Sequence, residues 1–228
     1  MTEAAAKRAS ILARMEAACR RAGRDADAVM LVAVSKTVPA GRVREILDAG
    51  QTVFGENRVQ EALGKMGEVG PPARWHLVGH LQRNKARHAV GAFDLIHSVD
   101  DLDLAREIDR RAEGRGIVQP VLVEVNVAGE ESKEGIAPAG LDALLEGMAL
   151  LRSLDLQGLM TIPPPAGDPG ASRPWFRELA RLRDDASRRL GRSLPQLSMG
   201  MSDDFEVAIE EGATLVRVGR ALFGERLP

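Results

Sequence analysis

The chain has 228 residues, 44% of them hydrophobic and 28% charged, which describes a folded globular protein and excludes a disordered one. Its 31 Lys plus Arg against 33 Asp plus Glu leave a net charge of -2, giving no electrostatic case for nucleic acid. No apolar run approaches membrane-spanning length and "MTEAAAKRASILARMEAACRRAGR" lacks the continuous apolar core of a signal peptide, so a cytoplasmic protein with no membrane partner is expected.

In chain order, the first element is an amphipathic helix around "ILARMEAACRRA". It carries Cys19, the single cysteine, which has no internal disulfide partner and fits a reducing compartment. Apolar, β-branched runs then alternate with stretches of helical spacing. The runs are "VMLVAVS" (29–35), "TVFGE" (52–56), "RWHLVGH" (74–80), "FDLIHS" (93–98), "VLVEVNV" (121–127), "LQGLMTI" (156–162), "LPQLSMG" (194–200) and "TLVRVG" (214–219). Helical stretches such as "AGRVREILDAG", "DLDLAREIDRRAEG" and "GLDALLEGMALLRS" lie between them, several closing on glycine (Gly50, Gly114, Gly191, Gly212). "TIPPPAGDPGASRP" reads as a mobile loop. The arginine-rich 172–192 stretch, with Glu178, Asp184 and Asp185 interleaved, reads as a solvated helix face.

Eight β/α alternations with no linker between them predict one α/β domain over 1–228, a (β/α)8 TIM barrel with an extra N-terminal helix. That helix is expected to close the barrel rather than form a dimer seam, leaving a monomer. An open doubly wound sheet would carry a glycine-rich turn after its first strand, where this chain has "SKTVPA".

Barrel chemistry sits at strand C-terminal ends. Those ends carry Lys36, Glu56 with Asn57, His80, Ser98, Asn126, Thr161, Ser198 and, in the last strand, Arg217 before Gly219. Together they read as the lining of a pocket. "SMGMSDDFE" and "RVGRALFG" are glycine turns into helix starts, where loops seven and eight of such barrels bind phosphate through backbone amides. Ser202 before Asp203 and Asp204 also reads as a helix N-cap with an acidic first turn.

Lys36 is one of only five lysines in a chain that otherwise uses arginine for positive charge. A lysine often marks where a strand meets water. It is also the cation that can lose its proton and attack a carbonyl. Beside Arg217 and above an apolar core its proton is more easily lost. A nucleophilic lysine and a phosphate cradle on one rim point to a Schiff-base site for a phosphorylated aldehyde: pyridoxal 5'-phosphate, or a sugar phosphate in an aldolase.

"LVAVSKTVP", "FGENRVQEAL", "WHLVGHLQRNK", "IHSVD", "VEVNVAGEESKEG", "GLMTIPP" and "LSMGMSDDFEVAIEEGATLVRVGRALFG", in order from residue 31 to 224, resemble the pyridoxal phosphate homeostasis proteins, the YggS/PROSC group. These are relatives of the alanine racemase N-terminal barrel domain. The resemblance implies pyridoxal 5'-phosphate held as an aldimine on Lys36, with Ser198, Met199, Gly219 and Arg220 around the phosphate and Arg217 facing the pyridine nitrogen. Asn57 and His80 would stand near the ring. The family commonly has a small hydroxyl residue where this chain has Arg220, so one hydroxyl contact is expected to be missing.

A ring nitrogen facing a guanidinium stays unprotonated, which weakens carbanion chemistry. The alternative for Arg217 is an ion pair with a barrel carboxylate such as Glu124. Alanine racemase takes its second base, a tyrosine, from a domain this chain lacks, and the chain has no tyrosine. His80 as a substitute base is weighed against a packed or ring-stacking role. His76 and His97 read as core or barrel-wall residues. No histidine, cysteine and carboxylate spacing resembles a metal site. The expectation is a carrier and buffer of the cofactor in its homeostasis, without turnover and with no catalytic residue, exchanging with apo enzymes that use it. The alternative is an amino-acid racemase or lyase. Lys133 is either an exposed loop lysine or a second amine that takes the aldehyde from Lys36 during release.

Overall fold

Val, Ile and Leu in short runs favour strands buried on both faces, and strands running the same way need a crossover between each pair. In a computed structural model of the chain, which describes residues 2–130, 133–164 and 167–224, these demands give a closed parallel barrel in sequence order. Its strands are β1 (Met30–Val34), β2 (Val53–Glu56), β3 (Arg74–Leu77), β4 (Leu95–Val99), β5 (Gln119–Glu124), β6 (Leu154–Met160), β7 (Gln196–Ser198) and β8 (Leu215–Val218). The helices are α1 (Glu3–Arg21), α2 (Ala40–Asp48), α3 (Val59–Val69), α4 (Ala86–Ala89), α5 (Leu102–Glu113), α6 (Leu141–Met148), α7 (Arg173–Leu190), α8 (Phe205–Glu210) and α9 (Arg220–Phe223). The expected fold class is the observed one.

Alternation along the strands separates two cores. Val32, Val53, Val78, Leu95, Leu122, Met160 and Leu215 fill the barrel interior, while a larger shell packs between sheet and helices. Strands end earlier than their apolar runs: β3 stops at Leu77, although Val78 N still donates to Glu56 O at 2.9 Å. Gly79 then passes so close to Asn57 that a Cβ there would lie 2.6 Å from its carbonyl oxygen.

Two local expectations are corrected. Closure is made by the β8–β1 ladder, from Met30–Leu215 to Ala33–Val218, so no edge remains for α1 to cover. α1 instead packs outside, against α8 and α9. It buries Ile11, Met15, Ala18 and Cys19, and Arg14 makes two hydrogen bonds to Glu206 while lying 4.6 Å over the Phe205 ring. Ser202 does not cap α8: the helix begins at Phe205 after Asp204, whose carboxylate turns back to accept from Met201 N at 2.7 Å.

α7 buries Phe176, Leu179 and Ala186 and turns its arginines outward into pairs such as Arg181 with Glu178 and Asp185, ending at left-handed Gly191. Within the predicted mobile loop, residues 165 and 166 lie outside the described residues. Among the described residues no helix is long and apolar enough to cross a membrane.

Candidate functional site

Beyond β1 the chain is held from below. Ser35 N donates to Gly55 O at 2.9 Å, extending the ladder one residue. Ser35 Oγ donates to Glu56 Oε1 at 2.6 Å. Lys65, from α3, places its ammonium 2.7 Å from Ser35 O, 2.6 Å from Glu56 Oε1 and 3.1 Å from Glu61 Oε1. Thr37 takes a left-handed conformation, φ 63°, with its amide donating to Glu61 Oε1 at 2.6 Å. Lys36 is thus presented between two residues whose backbone is pinned by one charged network. Burial pushes the Glu56 carboxyl up while Lys65 and Ser35 pull against it. Burial also works against the Glu61 charge, but the Thr37 amide and Lys65 outweigh it and hold that carboxyl below its ordinary range.

Lys36 lines a cavity at the C-terminal mouth of the barrel together with Asn57, Ser202, Asp203, Arg217, Gly219 and Arg220, over an apolar floor of Val34 and Val78. Arg217 points in from β8, 4% exposed, donating from Nη1 to Ser198 Oγ at 2.6 Å and from Nη2 to Thr161 O at 2.8 Å. Ser198 Oγ lies 2.9 Å from His97 Nδ1, and His97 Nε2 lies 3.0 Å from His76 Nδ1. Ser198 thus joins Arg217 to a hydrogen-bonded chain through His97 and His76, with both rings neutral. Burial lowers the His76 pKa to about 4 and that of His97 well below its usual value. Burial likewise brings Arg217 down to about 10, opposed by Glu124 and Asp204, so the guanidinium is a cation at neutral pH. The Arg217–Glu124 ion pair is not formed: the guanidinium's hydrogen bonds go to Ser198 and Thr161.

On the β7–β8 side, the N–H groups of Ser202, Asp203, Gly219 and Arg220 donate to no carbonyl among the described residues. A Cβ on Gly219 would press to 3.2 Å from Val34 O, so the cradle is open because that residue is glycine. The Arg220 guanidinium pairs with Asp203 at the cavity edge. Ser202 Oγ, in the same lining, accepts from Ala221 N at 3.4 Å.

The structure therefore gathers Lys36, Asn57, Arg217, Gly219 and Arg220. It does not gather the others. Ser198 faces the interior behind Arg217, and Met199 is buried with its amide given to Leu215 O at 3.1 Å. His80 stands in an adjoining cleft that shares Asn57, facing Asp100 and Glu134. Ser98, Asn126 and Thr161 tie strands and loops together: Ser98 Oγ to Gly79 O, Asn126 Nδ2 to Glu130 O, Thr161 Oγ1 to Val125 O. Lys133 is exposed and outside the cavity lining. Sequence reasoning missed Lys65, although its spacing from Glu61 on one helix was a readable signal.

A parallel barrel that turns a lysine, a buried arginine and loop amides into one mouth is of the alanine racemase barrel class, and residues 9–227 match the family described as alanine racemase, N-terminal domain. The alanine racemase of Clostridium difficile shares that fold at 17% identity and TM-score 0.68, covering 95% of this chain and 56% of its own. Closer relatives carry a more particular name. The "Pyridoxal phosphate homeostasis protein" of Aquifex aeolicus is 50% identical over 217 residues, 95% of each chain, and that of Pseudomonas aeruginosa 47% identical over 219 residues, 96% of this chain and 94% of its own. PipY of Synechococcus elongatus, solved with PLP bound, is 39% identical with TM-score 0.82, covering 93% of this chain and all of its own. The chain belongs to the pyridoxal phosphate homeostasis protein family.

Proposed function

We propose that this protein binds pyridoxal 5'-phosphate reversibly on Lys36, as a Schiff base, and acts in the cytoplasm as a monomeric carrier and buffer of the cofactor for apo enzymes that use it, without turnover. The observation that carries this reading is the meeting in one cavity of Lys36, the Arg217 cation and four amides that are unbonded among the described residues. These residues fit the group. When bound, pyridoxal phosphate supplies an aldehyde carbon for an amine, a phosphate dianion and a ring nitrogen. The Gly219 and Arg220 amides, with those of Ser202 and Asp203, point donors at an anion, and the Ser202 hydroxyl adds a further donor. Arg217 offers a proton donor that does not give up its proton, so a ring nitrogen facing it remains unprotonated. Asn57 forms a polar wall, and Val34 and Val78 keep water from beneath. Together with the absence of tyrosine from the sequence, this favours holding over carbanion chemistry.

The test is the absorption spectrum of the purified protein before and after borohydride, with peptide mass mapping. A band bleached by reduction and a phosphopyridoxyl mass on Lys36, lost in Lys36→Ala, is the expected result. A colourless protein that takes up no added cofactor overturns the reading, and α-hydrogen exchange of added amino acids in deuterated water would make the protein an enzyme instead.

A further inference from the structure

Away from Lys36, the rim of the barrel holds a second set of chemistry-bearing side chains. His80 follows β3, Asp100 follows β4 and Glu134 follows β5, three neighbouring strand ends that the chain reaches by long separations. His80 Nδ1 lies 3.5 Å from Glu134 Oε2 and 3.7 Å from Asp100 Oδ2, and all three donor atoms fall within 4.8 Å of one another. A divalent ion with bonds of about 2.1 Å sets its donors roughly 3 to 4.2 Å apart, so two pairs already have the spacing of a shared shell.

A second, independent observation points into the same place. Glu124, at the end of β5, is 5% exposed, and no hydrogen bond joins its carboxylate to another described residue. Its Cγ lies 3.2 Å from the Cβ position of Gly135, the residue whose amide also bonds the Asp100 carboxylate. Arg217, Asp100 and Glu134 are the charged neighbours of Glu124. Asp100 and Glu134 thus face one imidazole, with the buried Glu124 carboxylate behind them and Arg217 on its far side. A divalent ion can bridge such a group with one particle.

We propose that His80, Asp100 and Glu134 bind one divalent first-row transition-metal ion, with Glu124 as a buried carboxylate behind them. One imidazole and two carboxylates suit ions of the Mn²⁺ to Zn²⁺ series, and three protein ligands leave positions for water. The site adjoins the cavity of Lys36 through the shared wall at Asn57 and stands apart from it in residues, so its success or failure is separable from that of cofactor binding.

The experiment is a titration of the full chain with Mn²⁺ alone, followed by electron paramagnetic resonance. One ion per chain is expected, with affinity weakened about tenfold or more in Asp100→Asn and in Glu134→Gln and unchanged in Glu113→Gln on the exposed side of α5. Circular dichroism checks that each variant is folded. Independently of any variant, Mn²⁺ is expected to broaden the ring proton signals of His80 before those of His88. Binding no tighter than millimolar, equal binding in both carboxylate variants, or His80 signals broadened no earlier than those of His88 overturns the proposal.

Discussion

Beneath Lys36, the Lys65 ammonium sits between Glu56 and Glu61, so the buried charges of that network oppose one another. Around Arg217 the direct partners are a hydroxyl and a carbonyl, backed by two neutral imidazoles, and among the described residues no carboxylate touches the guanidinium. The first network uses opposite charges to fix backbone. The second uses uncharged groups to fix orientation, which leaves the positive charge of Arg217 directed at the cavity. A cavity that receives an anion and a ring nitrogen gains from the second arrangement, because a carboxylate bound to Arg217 would compete with both.

The largest expected effect breaks the first network. Lys65→Ala strands Glu56, fully buried and already with one oxygen unbonded, and should cost about 3 to 5 kcal/mol in denaturant unfolding. The double variant Lys65→Met with Glu56→Gln should recover part of that loss. If Lys65→Ala unfolds like the wild type, the network does not hold the strand end.

The second network should be the one that acid breaks. His76 titrates near pH 4 in the folded protein and near its ordinary value of 6.5 when unfolded, so below 6.5 the unfolded chain binds more protons. Stability from this group is complete above pH 6.5 and is lost as pH falls toward 4, by about 3 kcal/mol at one pKa unit per 1.36 kcal/mol. His76→Gln should flatten that acid limb; an unaltered limb would mean that the imidazoles are not held neutral.

An effect of no greater size and opposite sign sharpens the contrast. Glu124 is raised from 4.5 to about 7, so between these values the folded protein binds more protons and stability falls as pH rises. Glu124→Gln should therefore stabilise the protein without added metal by about 3 kcal/mol at pH 8 and change little at pH 4.5. Equal effects at both pH values would show that the carboxyl is not desolvated.

Much of this was readable in one dimension. The alternation of apolar runs with helical spacing specifies a barrel because buried parallel strands need long apolar runs and crossovers, and Lys36 and Arg217 stand out by chemistry at strand ends. Strand ends alone over-count the pocket. Ser98, Asn126 and Thr161 are polar for the local reason that loops and bulging strands need hydrogen bonds, and no spacing distinguishes that need from ligand binding. His80 illustrates the converse: its position at the rim was legible, but its neighbours Asp100 and Glu134 come from other strand ends.

The sequence by itself determined the class of fold, the lysine at the first strand end and the glycine turns after the seventh and eighth strands, because periodicity and turn chemistry are local properties of the chain. Tertiary structure alone decided which polar residues share a cavity, that Arg217 rests on Ser198 and two histidines and is not paired with Glu124, that Lys65 braces Lys36 from beneath, and that three separate strand ends meet in one acidic corner. Those outcomes depend on barrel closure, which sets residues far apart in the chain side by side and removes the water that would otherwise screen their charges.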